Sequence, residues 1–223
     1  MLQRVWERSL RAESLTRVVI ATDDRRILET ARAFGASAVM TRADHPSGTD
    51  RVAEVARAED AEVIVNIQGD EPMIEPAAID AAVQPLLTDE TVVMATLKRR
   101  FDDPRGAADP NVVKVATDRN GDAIYFSRFA IPFHRDREGD SPPGYFKHIG
   151  LYVYRRAFLL GYPALTVGPL ERAERLEQLR ALENGFRIRV VETRHDSLGV
   201  DTAEDLERAR DSCRESRLRD LGS

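Results

Sequence analysis

Val63-Ile64-Val65-Asn66-Ile67-Gln68-Gly69-Asp70-Glu71-Pro72 is the stretch that decides the fold. Its apolar, β-branched start reads as a buried strand. The strand stops at Gln-Gly-Asp-Glu-Pro, where Gly and Pro break regular structure and two carboxylates stand together. In an open α/β sheet, ligands bind beyond the carboxyl ends of the strands. An aspartate at that place can hold Mg²⁺, which commonly bridges to the phosphates of a nucleotide. The plain alternative is a polar turn after a core strand, and the rest of the chain has to separate the two.

Strand and helix alternate at short spacing on both sides of this stretch. Leu2, Val5, Trp6 and Leu10 fall at helical spacing, Arg17 to Thr22 reads as a strand, and Asp23 or Asp24 can cap a helix running to Phe34. Ser37 to Thr41 reads as a strand, Arg51 to Ala56 as helical, Pro76 to Leu87 as a helix and Thr91 to Lys98 as a strand. This alternation predicts an α/β domain with helices on both faces of a mixed, mostly parallel sheet, with the Val63 strand central. After Arg99 the pattern changes. An Asp- and Pro-rich loop (Phe101 to Pro110) leads into strands Val112 to Thr117 and Ala123 to Ser127, joined through Asp118-Arg119-Asn120-Gly121-Asp122. A second polar loop, Pro132 to Gly144, precedes the alternating strand Tyr145 to Tyr154. A helix from Leu170 to Asn184 with Gly185 as its C′ residue, a strand Phe186 to Glu192 and a helix Thr202 to Arg217 complete the chain. Thr202 and Asp205 have the spacing of a variant capping box.

Composition excludes several classes. The chain has 223 residues, enough for one large α/β domain, taken here as residues 1–223 with a β-rich extension at about 99–155. A net charge of -5 argues against a nucleic-acid-binding surface, which needs a basic stripe. Cys213 is the only cysteine, so neither an intramolecular disulfide nor a Cys-based zinc motif is available. No apolar run is long enough to span a membrane, and charges interrupt Met1 to Arg8 too early for a signal peptide, so the expected location is the cytoplasm.

Four further segments carry chemistry. In Thr41-Arg42-Ala43-Asp44-His45-Pro46-Ser47-Gly48-Thr49-Asp50-Arg51, Gly48 permits close backbone approach, and Ser47, Thr49 and a helix N-terminus offer donors to a base or an anion. Tyr125-Phe126-Ser127-Arg128 delivers an arginine at a strand end, and a guanidinium fork suits both oxygens of a carboxylate. Lys147-His148-Ile149-Gly150-Leu151-Tyr152 places a histidine on an alternating strand, where a structural role is the commoner one. In Leu198-Gly199-Val200-Asp201-Thr202, Asp201 is either an N-cap or a second metal carboxylate. No G-x-G-x-x-G or Walker-type phosphate loop occurs, and the chain opens with a helix rather than a strand and loop.

In order and spacing these segments resemble the 3-deoxy-manno-octulosonate cytidylyltransferases, also called CMP-Kdo synthetases. The matching stretches are Val19 to Asp23, Thr41 to Arg51, Asn66 to Pro72, Asn111 to Lys114, Tyr125 to Arg128, His148 to Tyr152, Pro169-Leu170-Glu171, Leu176 to Arg180 and Gly199 to Leu206. The resemblance implies a Rossmann-like, three-layer nucleotidyltransferase fold whose inserted β-rich extension makes homodimer contacts. It implies a reaction of CTP with Kdo that gives CMP-Kdo and pyrophosphate, for lipopolysaccharide biosynthesis. By the same resemblance Asp70 and Asp201 hold Mg²⁺, and Arg42, Ala43, Ser47, Gly48, Thr49 and Gln68 surround the cytosine and ribose. Arg128, His148, Tyr152, Glu177 and Gln178 line the sugar-acid pocket, Arg128 facing the carboxylate. Family members begin with a strand and an Arg/Gly/Lys loop that grips the triphosphate, and Met1-Leu2-Gln3-Arg4-Val5 resembles the helix after that loop. The expectation is therefore a chain whose start lies past it, through a late start codon or a truncation. Another sugar acid as acceptor, such as 8-amino-Kdo or a sialic acid, and a truncated non-catalytic relative are the readings left beside it.

Overall fold

The structure is a computed structural model that describes residues 1–135, 144–196, 199–200, 202 and 204–211. The chain divides into two compact units. One comprises Met1–Met40, Ile67–Asp80 and His195–Ser223, the other Thr41–Asn66 and Ala81–Arg194.

In the first unit, helix α1 (Leu2–Ser9) leads to β1 (Val19–Thr22), helix α2 (Arg25–Ala33) and β2 (Ser37–Met40). Asp24 caps α2, its carboxylate accepting from Arg26 N at 2.7 Å. β1 and β2 pair in parallel, as a strand–helix–strand crossover requires. Ile20, Leu28, Ala31, Ala36 and Ala38 form the local core, with Leu2, Trp6 and Phe34 packed against it. Helix α1 is tied down by Arg8, which donates to the Ile74 carbonyl and pairs with Glu75 at 2.5 Å.

The second unit carries helix α3 (Gly48–Ala56), β3 (Val63–Asn66), β4 (Met94–Arg100), β5 (Lys114–Thr117), β6 (Ala123–Ser127) and β7 (Phe146–Arg155). They are followed by helices α5 (Arg156–Gly161), α6 (Pro169–Glu174) and α7 (Leu179–Glu183) and strand β8 (Arg189–Glu192). Helix α4 (Pro76–Thr88) runs through the division between the units. The six-stranded sheet runs β6-β5-β7-β4-β8, with β3 also on β7. It is mixed, but the alternation predicts a mostly parallel sheet, whereas among the described residues parallel pairing in this unit is confined to β4–β8, and β7 runs antiparallel to β3, β4 and β5. The central strand is β7 rather than β3. β7 takes that place because it pairs antiparallel with β3, β4 and β5 at once.

Two departures from the sequence pattern shape the second unit. The expected helix Leu170 to Asn184 is broken into α6 and α7, with Arg175 in the left-handed region at φ 52°. Glu183 of α7 turns back to accept from Leu170 N and Glu171 N, at 2.8 and 3.0 Å, capping α6. The second departure is a bulge in β7. Thr96 pairs with Tyr152 while Leu97 pairs with Ile149, so Gly150 and Leu151 have no counterpart on β4. In the first unit, residues 204–211 are helical, and Thr202 and Asp205 form the reciprocal cap: Asp205 accepts from Thr202 N (3.0 Å) and Thr202 Oγ1 from Asp205 N (3.1 Å). The rest of the expected last helix lies outside the described residues.

Candidate functional site

Helix α3 begins at Ser47, whose Oγ accepts from Asp50 N at 3.2 Å. The same oxygen lies 2.5 Å from Asp50 Oδ2 and 2.7 Å from Glu177 Oε1. One hydroxyl proton cannot serve two carboxylates. Burial raises the pKa of Glu177, with Asp50 adding to it, against the lowering effect of the Ser47 and Thr49 hydroxyls and of Arg180. Thr49, also buried, has its hydroxyl 3.3 Å from that of Tyr154. Arg42, Ala43 and Gly48 are exposed. The Arg42 guanidinium is paired with Asp44 at 2.8 Å, and the Arg42 backbone N–H donates to Glu54, which also contacts His45 and so folds the loop onto α3.

The break between α6 and α7 brings Glu177 and Gln178 inward. Gln178 is buried, and the Glu177 carbonyl accepts from Tyr162 Oη at 2.7 Å. Arg180 holds this turn through a bidentate pair with Glu171, at 2.9 and 2.6 Å, and lies over the Tyr162 ring. Two segments that stand out in the sequence, Pro169-Leu170-Glu171 and Leu176 to Arg180, are thus one ion-paired unit.

His148 and Tyr152 lie on β7, with ring centroids 5.4 Å apart, flanking the bulge. Thr96 Oγ1 reaches three groups there: the carbonyls of Leu151 (2.7 Å) and Ile149 (3.2 Å) and His148 Nε2 (2.9 Å). The Thr96 proton goes to Leu151 O, the nearest acceptor, so His148 donates from Nε2. Burial pushes the His148 pKa from 6.5 down to about 3, leaving a neutral ring. Such a ring is a hydrogen-bonding and packing group rather than a strong base.

Arg128 follows directly on β6. Glu174, at the end of α6, accepts from Ser127 Oγ and Arg128 N at 2.6 and 2.8 Å, and these bonds hold its pKa below the ordinary value against the effect of burial. The Arg128 fork donates to the carbonyls of Glu174 (Nε, 2.8 Å) and Pro110 (Nη1, 3.2 Å). Two carbonyls fix the guanidinium without neutralising it.

Gln68 and Asp70 belong to the first unit. There the backbone N–H of Val200 donates to the Asp70 carbonyl at 3.0 Å, so the chain just before Asp201 lies against Asp70. Asp201 itself lies outside the described residues. Among the described residues no group of three His, Cys, Asp or Glu gathers as a metal cage. Mg²⁺ seldom takes an all-protein cage and is commonly held by one or two carboxylates together with substrate phosphates.

Sequence reasoning missed Asp50, Thr96, Glu174, Tyr154 and Tyr162. Asp50 is in plain sight as the N3 carboxylate of a capped helix. Thr96 carries no signal, because the bulge it serves depends on pairing between distant strands.

Comparison with known proteins matches residues 1–190 to the cytidylyltransferase family. A 3-deoxy-manno-octulosonate cytidylyltransferase of Solibacter usitatus is 66% identical over 100% of this chain and 88% of its own length. One of Geobacter metallireducens is 54% identical over 93% of this chain and 85% of its own. A solved structure of CMP:2-keto-3-deoxy-manno-octonic acid synthetase complexed with CTP superposes with a TM-score of 0.91 at 41% identity, covering 96% of this chain and 88% of that one. The chain belongs to the 3-deoxy-manno-octulosonate cytidylyltransferases.

Proposed function

We propose that the chain transfers the cytidylyl group of CTP to Kdo, giving CMP-Kdo and pyrophosphate. The observation that carries the reading is the 2.7 Å contact between Ser47, which opens the nucleotide-loop helix, and Glu177, which belongs to the sugar-acid segment. It joins the parts assigned to the two substrates within one unit.

In this reading the Kdo carboxylate lies on the Arg128 fork, and the anomeric hydroxyl attacks the α-phosphorus in line. The O–P bond forms as the bond to pyrophosphate breaks, and the hydroxyl proton is released. Positioning supplies most of the rate. Neutral His148 and Tyr152 pack against the sugar acid, while Glu177 and Gln178 hydrogen-bond its hydroxyls. Arg42, Ala43, Ser47, Gly48, Thr49 and Gln68 bound the nucleotide. Asp70 and Asp201 would hold Mg²⁺, which neutralises phosphate charge when bound.

The same reading makes the protein a cytoplasmic homodimer. Among the described residues no helix is long and apolar enough to cross a membrane. Phe129 and Phe133 are 77% and 79% exposed in the connection from β6 to β7, an apolar pair suited to burial against a second copy.

The geometry is tested with Arg128→Lys, which keeps the charge and loses the fork. Pyrophosphate release, with Kdo and CTP varied separately, should show a defect mainly in Kdo dependence. An unchanged Kdo response contradicts the assignment.

A further inference from the structure

Lys114 is fully buried, and its ammonium spends its three N–H bonds on three backbone carbonyls. Two belong to the loop before β5, Asp109 O at 2.8 Å and Val112 O at 2.6 Å. The third is the carbonyl of Arg128. Only an ammonium offers three donors from one atom, so no other side chain could serve this convergence of carbonyls.

We propose that Lys114 is the positioning residue for Arg128. The loop Lys114 holds contains Pro110, whose carbonyl accepts from Arg128 Nη1. Lys114 therefore grips the loop on both sides of the carbonyl that orients the guanidinium, and grips the Arg128 backbone as well. Lys114 pairs with Ser127 across the β5–β6 ladder, which sets it one residue from Arg128. Asp109 shapes the loop independently, its carboxylate accepting from Asn111 N at 2.8 Å. The arrangement also sets a second cation behind the first. Arg128 and burial both disfavour the charged lysine, so the site keeps that charge at a cost, offset by the three carbonyls and by nearby Asp109 and Glu174.

This inference rests on Arg128 as the holder of the Kdo carboxylate, and the experiment separates the two. Lys114→Gln, Asp109→Ala, Arg128→Ala and the pairwise doubles with Arg128→Ala are made in the protein. KM for Kdo, KM for CTP and kcat are measured, with Kdo binding by calorimetry in the presence of CTP. Lys114→Gln should raise KM and Kd for Kdo on the order of tenfold through misplacement of the fork, and leave KM for CTP unchanged. In the Arg128→Ala background it should add nothing. Equal losses toward Kdo and CTP, or additive effects in the double variant, would overturn the proposal. If Lys114→Gln does not fold, exposed Asp109→Ala takes its place, with the same Kdo-selective defect expected and an unchanged Kdo response overturning it. Arg128→Ala with normal Kdo binding removes the underlying reading; Arg128→Ala weakening Kdo while the Lys114 and Asp109 variants do not removes this inference alone.

Discussion

Ser47 and Glu177 are 130 residues apart in sequence, and their side-chain oxygens lie 2.7 Å apart. The bond ties the start of α3 to the turn between α6 and α7, and it buries a carboxylate beside a second one on Asp50. Burial and Asp50 disfavour an ionised Glu177 there, and the Ser47 and Thr49 hydroxyls and Arg180 offset them only in part. The arrangement trades stability for a buried polar group at the turn between α6 and α7.

Glu177→Gln should expose that trade. A carboxyl whose folded pKa is raised stabilises the fold most below its ordinary value of 4.5, and loses that contribution as pH rises through the folded pKa. Glutamine keeps the hydrogen bond and cannot ionise. The variant should therefore melt higher than the parent at pH 8, by about 2–4 °C for each kcal/mol recovered in a chain of this size, with the gap closing near pH 4. Its KM for Kdo should rise. A constant difference in melting temperature from pH 4 to 8 would show that Glu177 does not titrate as described.

His148 should leave no mark on the pH–rate profile. With its pKa near 3, the ring is neutral throughout the working range, so kcat/KM for Kdo should show no limb near pH 6.5 that disappears in His148→Gln. For stability the sign is the opposite of that for Glu177. A depressed histidine pKa gives stability that is complete above 6.5 and lost as pH falls toward 3. Thr96→Val removes the hydroxyl that serves the bulge carbonyls and His148, and should cost about 1–3 kcal/mol in denaturant unfolding.

Arg180 and Glu171 form a buried bidentate pair that holds the Glu177 turn. Arg180→Lys keeps the charge but loses one of two parallel bonds, and should cost about 1–3 kcal/mol. Arg180→Ala leaves Glu171 buried without its partner, and about 3–5 kcal/mol is expected. Chemical denaturation measures both; a loss under ~0.5 kcal/mol for the alanine variant would show that the pair is not structural.

The elements were legible where local pattern and tertiary need agree. Val63 to Asn66, the Asp24 cap, the Gly185 terminus at φ 82° and the Thr202–Asp205 box all follow from residue type and spacing. The break after Glu174 was not legible, since helical periodicity runs on from Leu170 to Asn184. What breaks it is long-range: Ser47 draws in Glu177, and Glu174 is held by β6 through Ser127 and Arg128. The central place of β7 was hidden for a similar reason, because alternation along a chain does not reveal which strand returns antiparallel. The motifs name candidate site residues, and Lys114 lies in the stretch Asn111 to Lys114 that they include; Thr96 and Glu174 carry no such signal, because each acts through groups remote in sequence.

Asp70→Asn tests the metal assignment. Val200 ties the chain before Asp201 to the Asp70 carbonyl, which survives the substitution while the charge is lost. Turnover should fall on the order of a hundredfold or more. Mn²⁺ binding followed by electron paramagnetic resonance with CTP present should weaken in parallel. Near-normal turnover, or unchanged Mn²⁺ affinity, would remove Asp70 from the metal site.

The most direct measurement is the product itself. The protein is incubated with CTP, Mg²⁺ and an equimolar mixture of Kdo, 8-amino-Kdo and N-acetylneuraminate, and the reaction is followed by ³¹P NMR and mass spectrometry. The expected result is pyrophosphate together with one phosphodiester product, CMP-Kdo, formed before either competitor is consumed. Preferential transfer of CMP to one of the other acids, or no sugar-linked CMP at all, would contradict the proposed function.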